Sequence, residues 1–262
     1  MISKGVKIVN ITEVDLTLSE IGNSVFLRDI MKLKKIFINS DVLKILALVF
    51  MTLDHVAKIF PDLPGNYCFE LLGRVSFPIF SFILMFHLQK LQIYKKYLWR
   101  LGFFGGLTFV IMAIFRNLNV DTSQLPFNIL LMFFVCVSAQ FLKKIIEINV
   151  KNKAWKIILI IASYFICALV VCKYSLFAFF YVVLIYYFFK KPTLLKGLLL
   201  VLLSYLLNLG GAFGIASVVS TLIMMNINYG AKQKRLIKKW YVFYLYYPLH
   251  LSLLILLKMF VF

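Results

Sequence analysis

Charge is scarce in this chain of 262 residues, and acidic charge scarcest: Asp and Glu number 10, and the four charged types together make up 15%. A water-soluble globule of this length needs far more polar side chains to cover its surface, so a soluble domain is excluded. No Pro-, Gly- or Ser-rich linker divides the chain, which argues for one domain, and the hydropathy shows no internal repeat. The four cysteines, Cys68, Cys136, Cys167 and Cys172, have neither metal-ligand nor disulfide spacing. Scattered through apolar runs, they read as packing residues. No secretory leader is expected, because charged and polar residues interrupt every apolar run in residues 1–40 long enough to be its hydrophobic core.

What the chain has in quantity is apolar: 63% of it is hydrophobic and its mean hydropathy is +0.93. This is the composition of an integral membrane protein, an all-α polytopic bundle. The net charge of +19 would suggest a nucleic-acid partner until the cations are located. Of the 29 Lys and Arg, 23 fall in five groups: residues 1–40, 90–100, 143–156, 190–196 and 232–239. The intervening connections, "PDLPGNY" (61–67), "NLNVDTSQ" (117–124), "KYS" (173–175) and "NLGG" (208–211), are almost free of them. Every second loop is basic, which by the positive-inside rule predicts a cytoplasmic N-terminus. The charge then reflects topology and contact with anionic lipid.

A bilayer core about 30 Å thick needs roughly 20 helical residues. Apolar runs between polar breaks predict nine spans, near 42–60, 69–89, 100–116, 126–142, 155–172, 175–189, 194–209, 212–228 and 240–259. Nine keeps every basic loop on the cytoplasmic side and puts the C-terminus outside. The sixth and seventh are short enough to be a tilted or re-entrant pair. Residues 1–40 form a cytoplasmic or interfacial extension and 41–262 a single transmembrane domain. "FLRDIMKLKKIF" (26–37) reads as a basic amphipathic surface helix or as a plain lead-in to the first span.

Ionisable residues inside a span cost a few kcal/mol, about 2.5–3.5 each on the lenient insertion scales, and need a reason. Asp54 lies about six residues below the outer end of span one, a depth of roughly 9 Å at 1.5 Å per residue, with His55 beside it. Arg74, about five residues into the descending span two, sits at similar depth. His250 is near mid-membrane on span nine, Asn128 begins span four after Pro126, and Arg116 ends span three. Each has a structural explanation. Asp54 and Lys58, and Glu70 and Arg74, are spaced to pair along one helix; His250 stands among tyrosines, and Asn128 suits a helix cap. Together, at matching depth, they point to a polar cavity. Histidine is the usual general base near neutral pH, and arginine holds carboxylates, phosphates or a developing oxyanion. Adjacent on a helix, Asp54 and His55 point about 100° apart, so a protease-like dyad is not expected, and Asp54 is expected to meet Arg74 or a backbone donor. No Ser or Cys nucleophile accompanies them. Direct transfer between two bound substrates fits better than a covalent enzyme intermediate.

"LKILALVFMTLDHVAKIFPD" (43–62), "LLGRVSFPIFSFIL" (71–84), "KKYLWRLGFF" (95–104), "PFNILLMF" (126–133) and "INYGAKQKRLIKKWYVFYLYYPLHLSLL" (227–254) resemble, in order, the elements of the TraX family of membrane acetyltransferases. That pattern reads as a DH pair, GR..FPIF, Y..RL, NV.FTL and a closing YNG-basic-YxFYxxYPLHL block. The middle departs from it: "VIMAIFRN" stands where the family has S-E-x-P, and "KYSLF" where it has D-Y-G. The founding member acetylates the N-terminal amine of conjugative pilin, and the family is similar to acyltransferases that O-acetylate bacterial surface sugars. The resemblance implies an acyltransferase domain over 41–262 with a site of Asp54, His55, Arg74, Arg100, Asn128 and His250.

Only Arg100 is new to the residue-level reading, and it lies at the cytoplasmic end of span three. Acetyl-CoA, the donor so implied, is cytosolic and phosphorylated. Arg100, Lys95, Lys96 and further Lys238 and Lys239 are placed to receive those phosphates, with Asn128 deeper in the bundle. His55 or His250 would then take the acceptor's proton and Arg74 would stabilise the tetrahedral transition state. The lysines alone are equally explained by topology. Acceptors in keeping with the pattern are a peptide, a pilin-like protein or a surface glycan, at the cytoplasmic membrane of a low-GC bacterium. A secondary transporter with an Asp/His/Arg relay and a structural component of a secretion or conjugation machine are the alternatives. A zinc site from His55, His250 and Asp54 has no local ligand spacing behind it.

Overall fold

The computed structural model describes residues 38–117, 128–228, 236–237 and 239–261. The surface helix expected over 26–37, the outer connection at 118–127, and the basic residues 229–235 and Lys238 lie outside them.

Among the described residues the chain is helical, without strands. Helix α1 spans Ser40–Ile59; Asn39 caps it by accepting the Asp41 N–H at 2.8 Å. Pro61 and Pro64 cannot continue it, and Gly65, at φ +78°, turns the chain back. Helices α2 (Asn66–Gly73) and α3 (Ser76–Leu91) are one apolar run of 26 residues, interrupted at Arg74 and Val75. The cause of the interruption is local. Pro78 has no N–H to offer the Arg74 carbonyl four residues back.

Helices α4 (Tyr94–Asn117) and α5 (Ile129–Asn149) follow, then α6 (Lys153–Lys190), which breaks at an extended Ser175. The Ser175 hydroxyl accepts the Ala178 N–H at 3.1 Å and starts the helix afresh. The halves fold back on each other, since the Tyr164 and Tyr187 hydroxyls, on either side of the break, meet at 2.9 Å. Helices α7 (Leu194–Leu206) and α8 (Gly211–Met225) are joined by a turn in which Leu209, Gly210 and the first residue of α8, Gly211, all have positive φ, and α9 spans Val242–Val261.

With α2–α3 taken as one run and α6 as two, these helices coincide with the nine apolar runs read from the sequence, though not all nine have the length of a span. Five are long and apolar enough to cross a membrane: Asn66–Leu91, Tyr94–Asn117, Ile129–Asn149, Lys153–Val171 and Val242–Phe260. Helix α1 has the length but carries Asp41, Lys44, Asp54 and Lys58. The second half of α6, α7 and α8 are apolar but only 10–17 residues long, so the expected short pair is a trio. Phe109, Ile161, Phe165 and Leu253 stand more than half exposed on the outer faces. That is the surface of a protein solvated by lipid.

The antiparallel order collects most of the described basic residues at one end. There Lys144 of α5 bonds Gln92 at the α3–α4 junction, Tyr94 of α4 bonds Tyr186 of α6, and Asp41 of α1 meets Leu236 and Ile237 ahead of α9. The core runs between α3 and the second half of α6, where Phe82, Met85 and Leu88 pack in one cluster with Phe179, Tyr181 and Ile185.

Candidate functional site

The two buried histidines meet. His55 and His250 are almost fully buried, and His250 Nε2 lies 3.0 Å from His55 Nδ1. The hydrogen-bond chain assigns the protons. His250 Nδ1 lies 2.8 Å from the Tyr246 carbonyl, which can only accept, so this nitrogen carries the hydrogen. In the neutral ring Nε2 is then the acceptor, and His55 Nδ1 must be the donor. His55 Nε2 is left with its lone pair, the arrangement of a general base held by a second imidazole. Tyr246 stacks on His250 with ring centroids 5.0 Å apart, and its hydroxyl meets Thr52 Oγ1 at 2.8 Å. Thr52 itself donates to the Leu48 carbonyl, so Tyr246 is the donor and His250 is fixed from behind.

Asp54 faces a different set of partners. Its carboxylate pairs with Lys58 one turn on, and its Oδ1 lies 4.0 Å from Arg74 Nε. Arg74 in turn pairs with Glu70 and lies over the Phe213 ring. Both i,i+4 pairs suggested by spacing therefore form, and the expected Asp54–Arg74 approach is a looser one beside them. Asp54 Oδ1 and Arg74 Nε are buried without a hydrogen-bond partner, which marks a polar pocket rather than a closed ion pair.

The GR dipeptide explains the approach. A Cβ on Gly73 would lie 2.3 Å from Asp54 Cβ and 2.9 Å from its Cα, so only glycine lets α2 close on α1 here. The Arg74 and Val75 carbonyls accept from Ser217 and Ser220 of α8 at 3.2 and 3.0 Å, so α8 satisfies the group that Pro78 leaves without a helical donor.

Two cavities lie along the bundle. The larger, about 480 Å³, opens at the basic end and is lined by Asp41, Lys44, Lys96, Arg100, His87 and Trp240 among others. The smaller, about 200 Å³, holds Asp54, His55, Lys58, Arg74 and Asn208. Met51, Ile129 and Tyr247 line both. They form a septum with His55 on one side of it.

The remaining expected residues separate. Arg100 lies in the lower cavity with its guanidinium 3.9 Å from the Trp240 ring centre, and Lys96 lines the same space. Lys95 is exposed and lines neither cavity. Asn128 is occupied at both ends of its amide: Oδ1 caps α5 at the Leu130 N–H and Nδ2 donates to the Gly105 carbonyl at 2.7 Å. It too lines neither cavity. Arg116 is exposed at the end of α4.

Three residues escaped the sequence reading. His87 and Asp41 line the lower cavity, and Asp41 accepts from the Leu236 and Ile237 amides at 2.9 and 3.3 Å and from Lys44 at 2.8 Å. This clasp holds the segment leading to Trp240 against α1. The third is Tyr247, whose signal was its place immediately before Pro248 in the "YYPLHL" block.

A family model described as TraX protein matches residues 39–258. The chain belongs to the TraX family. The match takes in α1 through nearly all of α9, so both cavities and the histidine pair lie inside the TraX region. No curated protein and no solved structure matches the chain.

Proposed function

We propose that this TraX protein is an integral membrane acyltransferase of the cytoplasmic membrane, its basic end and N-terminus inside and its nine runs spanning the bilayer, three of them short. It moves an acetyl group from acetyl-CoA to an amine or hydroxyl of an acceptor at the outer face. The observation that carries this reading is the pair of cavities stacked end to end, meeting at Met51, Ile129 and Tyr247 beside His55. A cavity of about 480 Å³ is within the range of roughly 300–1,000 Å³ usual for small-molecule sites. Its Lys44, Lys96 and Arg100 suit the phosphates of a cytosolic donor.

The acyl end of the donor reaches up to the septum. The acceptor enters the upper cavity, where Asp54, Lys58 and Arg74 orient it. His55 Nε2 takes its proton as it attacks the thioester, and Arg74 adds positive charge to the cavity in which the transition state forms. A peptide or pilin-like N-terminus and a sugar hydroxyl both suit such a site.

Purified protein in detergent is expected to bind acetyl-CoA and release CoA thiol, and His55→Ala to abolish release while leaving binding intact. Absence of binding and turnover in the wild type, with His55→Ala fully functional in cells, sinks the reading. The same stacked cavities suit a transporter, which would need a sealed vesicle; transfer in detergent separates the two. Mass spectrometry of secreted peptides and wall polymers from a deletion strain, searching for a lost acetyl mass, identifies the acceptor.

A further inference from the structure

A transfer at the meeting point of the cavities needs a hydrogen-bond donor aimed at the thioester oxygen. Arg74 is poorly placed for that task. It lines the upper cavity only, and its guanidinium is engaged by Glu70 and laid over Phe213. The septum itself consists of Met51, Ile129 and Tyr247, and of these Tyr247 alone has a polar side chain.

Tyr247 is buried, and its ring packs edge-on against both His55 and His250, with centroids 6.0 and 5.6 Å apart. Its oxygen lies 3.5 Å from the Ile129 N–H, the first amide of α5, and accepts from it. That bond leaves the phenolic hydrogen for another acceptor. Asn128, locked to Gly105 and Leu130, holds the α5 terminus and so the amide in place.

We propose that Tyr247 is a catalytic residue of the acyl transfer, the hydroxyl that donates to the carbonyl oxygen of the acyl donor as the tetrahedral centre forms. This rests on the acyltransferase reading above. The acceptor nitrogen or oxygen forms its bond to the carbonyl carbon and its proton passes to His55 Nε2. The π electrons move to the carbonyl oxygen, which is held by Tyr247 Oη–H. When the carbonyl re-forms, the C–S bond breaks and the thiolate takes the proton from His55. Products are the acetylated acceptor and CoA thiol, and Tyr247 keeps its own proton throughout.

The test uses the full chain in detergent with acetyl-CoA and hydroxylamine, a small nucleophile standing in for the acceptor, and follows thiol release in excess of the spontaneous reaction without protein. Tyr247→Phe, which keeps the ring, is expected to lower kcat about 10²–10³-fold with the KM for acetyl-CoA unchanged and the thermal midpoint lowered only by the loss of the long Ile129 N–H bond. Placing 3-fluorotyrosine at 247, a stronger donor of nearly the same shape, is expected to keep or raise kcat where Tyr247→Phe loses it, a recovery that follows the hydroxyl and not the packing of the ring. Full kcat in Tyr247→Phe while His55→Ala is dead overturns the role of Tyr247 and leaves the acyltransferase reading standing. A raised KM with unchanged kcat overturns it equally, since the residue would then only shape the cavity. No thiol release by the wild type above the protein-free rate overturns both.

Discussion

Replacing Gly73 with alanine tests the contact that brings Asp54 and Arg74 together. The added methyl would lie 2.3 Å from Asp54 Cβ, 2.8 Å from its Oδ1 and 2.9 Å from its Cα. Carbon atoms rest about 3.5–4.0 Å apart, so α2 must retreat from α1 by roughly an ångström. The obstacle is the Asp54 backbone and Cβ, not the far end of a flexible chain, so rotamer changes cannot relieve it. Overpacking of this kind costs about 1–3 kcal/mol, and a displacement near 1 Å at a reacting site can cost up to about 10²-fold in rate. Gly106, on the neighbouring helix α4, is the control: a Cβ there meets nothing within 4 Å. Gly106→Ala is expected to be neutral or to stabilise by up to about 1 kcal/mol through helix propensity. The assay is the detergent-solubilised thermal midpoint measured beside acetyl-CoA turnover. Gly73→Ala with the midpoint and rate of the wild type would refute the close approach on which the site is built.

His250→Ala removes the acceptor of the His55 Nδ1–H and should lower kcat about 10-fold or more, a part of the roughly 10²–10⁴ that a general base supplies; His250→Gln, whose carbonyl can accept the same hydrogen, should recover a portion, and equal rates for the two variants would count against the imidazole pair. Asp41→Ala removes the acceptor of the Leu236 and Ile237 amides, which lie where water can replace it, so the cost is about 0.5–1.5 kcal/mol per bond; titration of acetyl-CoA should show a raised KM with kcat preserved. Asn128→Ala should cost about 0.5–2 kcal/mol as a lost cap and lower the thermal midpoint, while acetyl-CoA affinity measured by calorimetry stays unchanged if the residue is structural and falls if it touches the donor.

Much of the polar site was legible because burial in lipid makes polar residues conspicuous. Asp54, His55, Arg74 and His250 stood out by cost alone, and helix periodicity separated Asp54 from His55 correctly: the two side chains serve different partners. The i,i+4 spacing of Asp54 with Lys58 and of Glu70 with Arg74 also read through to real pairs. Asn128 was ambiguous between cap and ligand for a physical reason. One amide can do either, and which it does depends on where the Gly105 carbonyl lies, a matter of α4–α5 packing. Tyr247 was passed over, although it stands in the YYPLHL block, because a tyrosine among tyrosines carries no desolvation signal; its importance comes from standing between two cavities.

By itself, then, the amino-acid order determined what local physics controls: a membrane chain helical throughout its described residues, the position of each helical run, the gathering of cations at alternate turns, and which polar residues interrupt the apolar runs. Those follow from transfer free energy and from the rise of a helix, which need no knowledge of neighbours. The tertiary structure alone decided which of those buried groups meet. His55 and His250 are 195 positions apart, and no periodicity on either helix says that their rings face each other or which nitrogen keeps a lone pair. The septum of Met51, Ile129 and Tyr247 draws on three helices at once. A cavity is the space left after packing, and packing is a property of the assembled bundle.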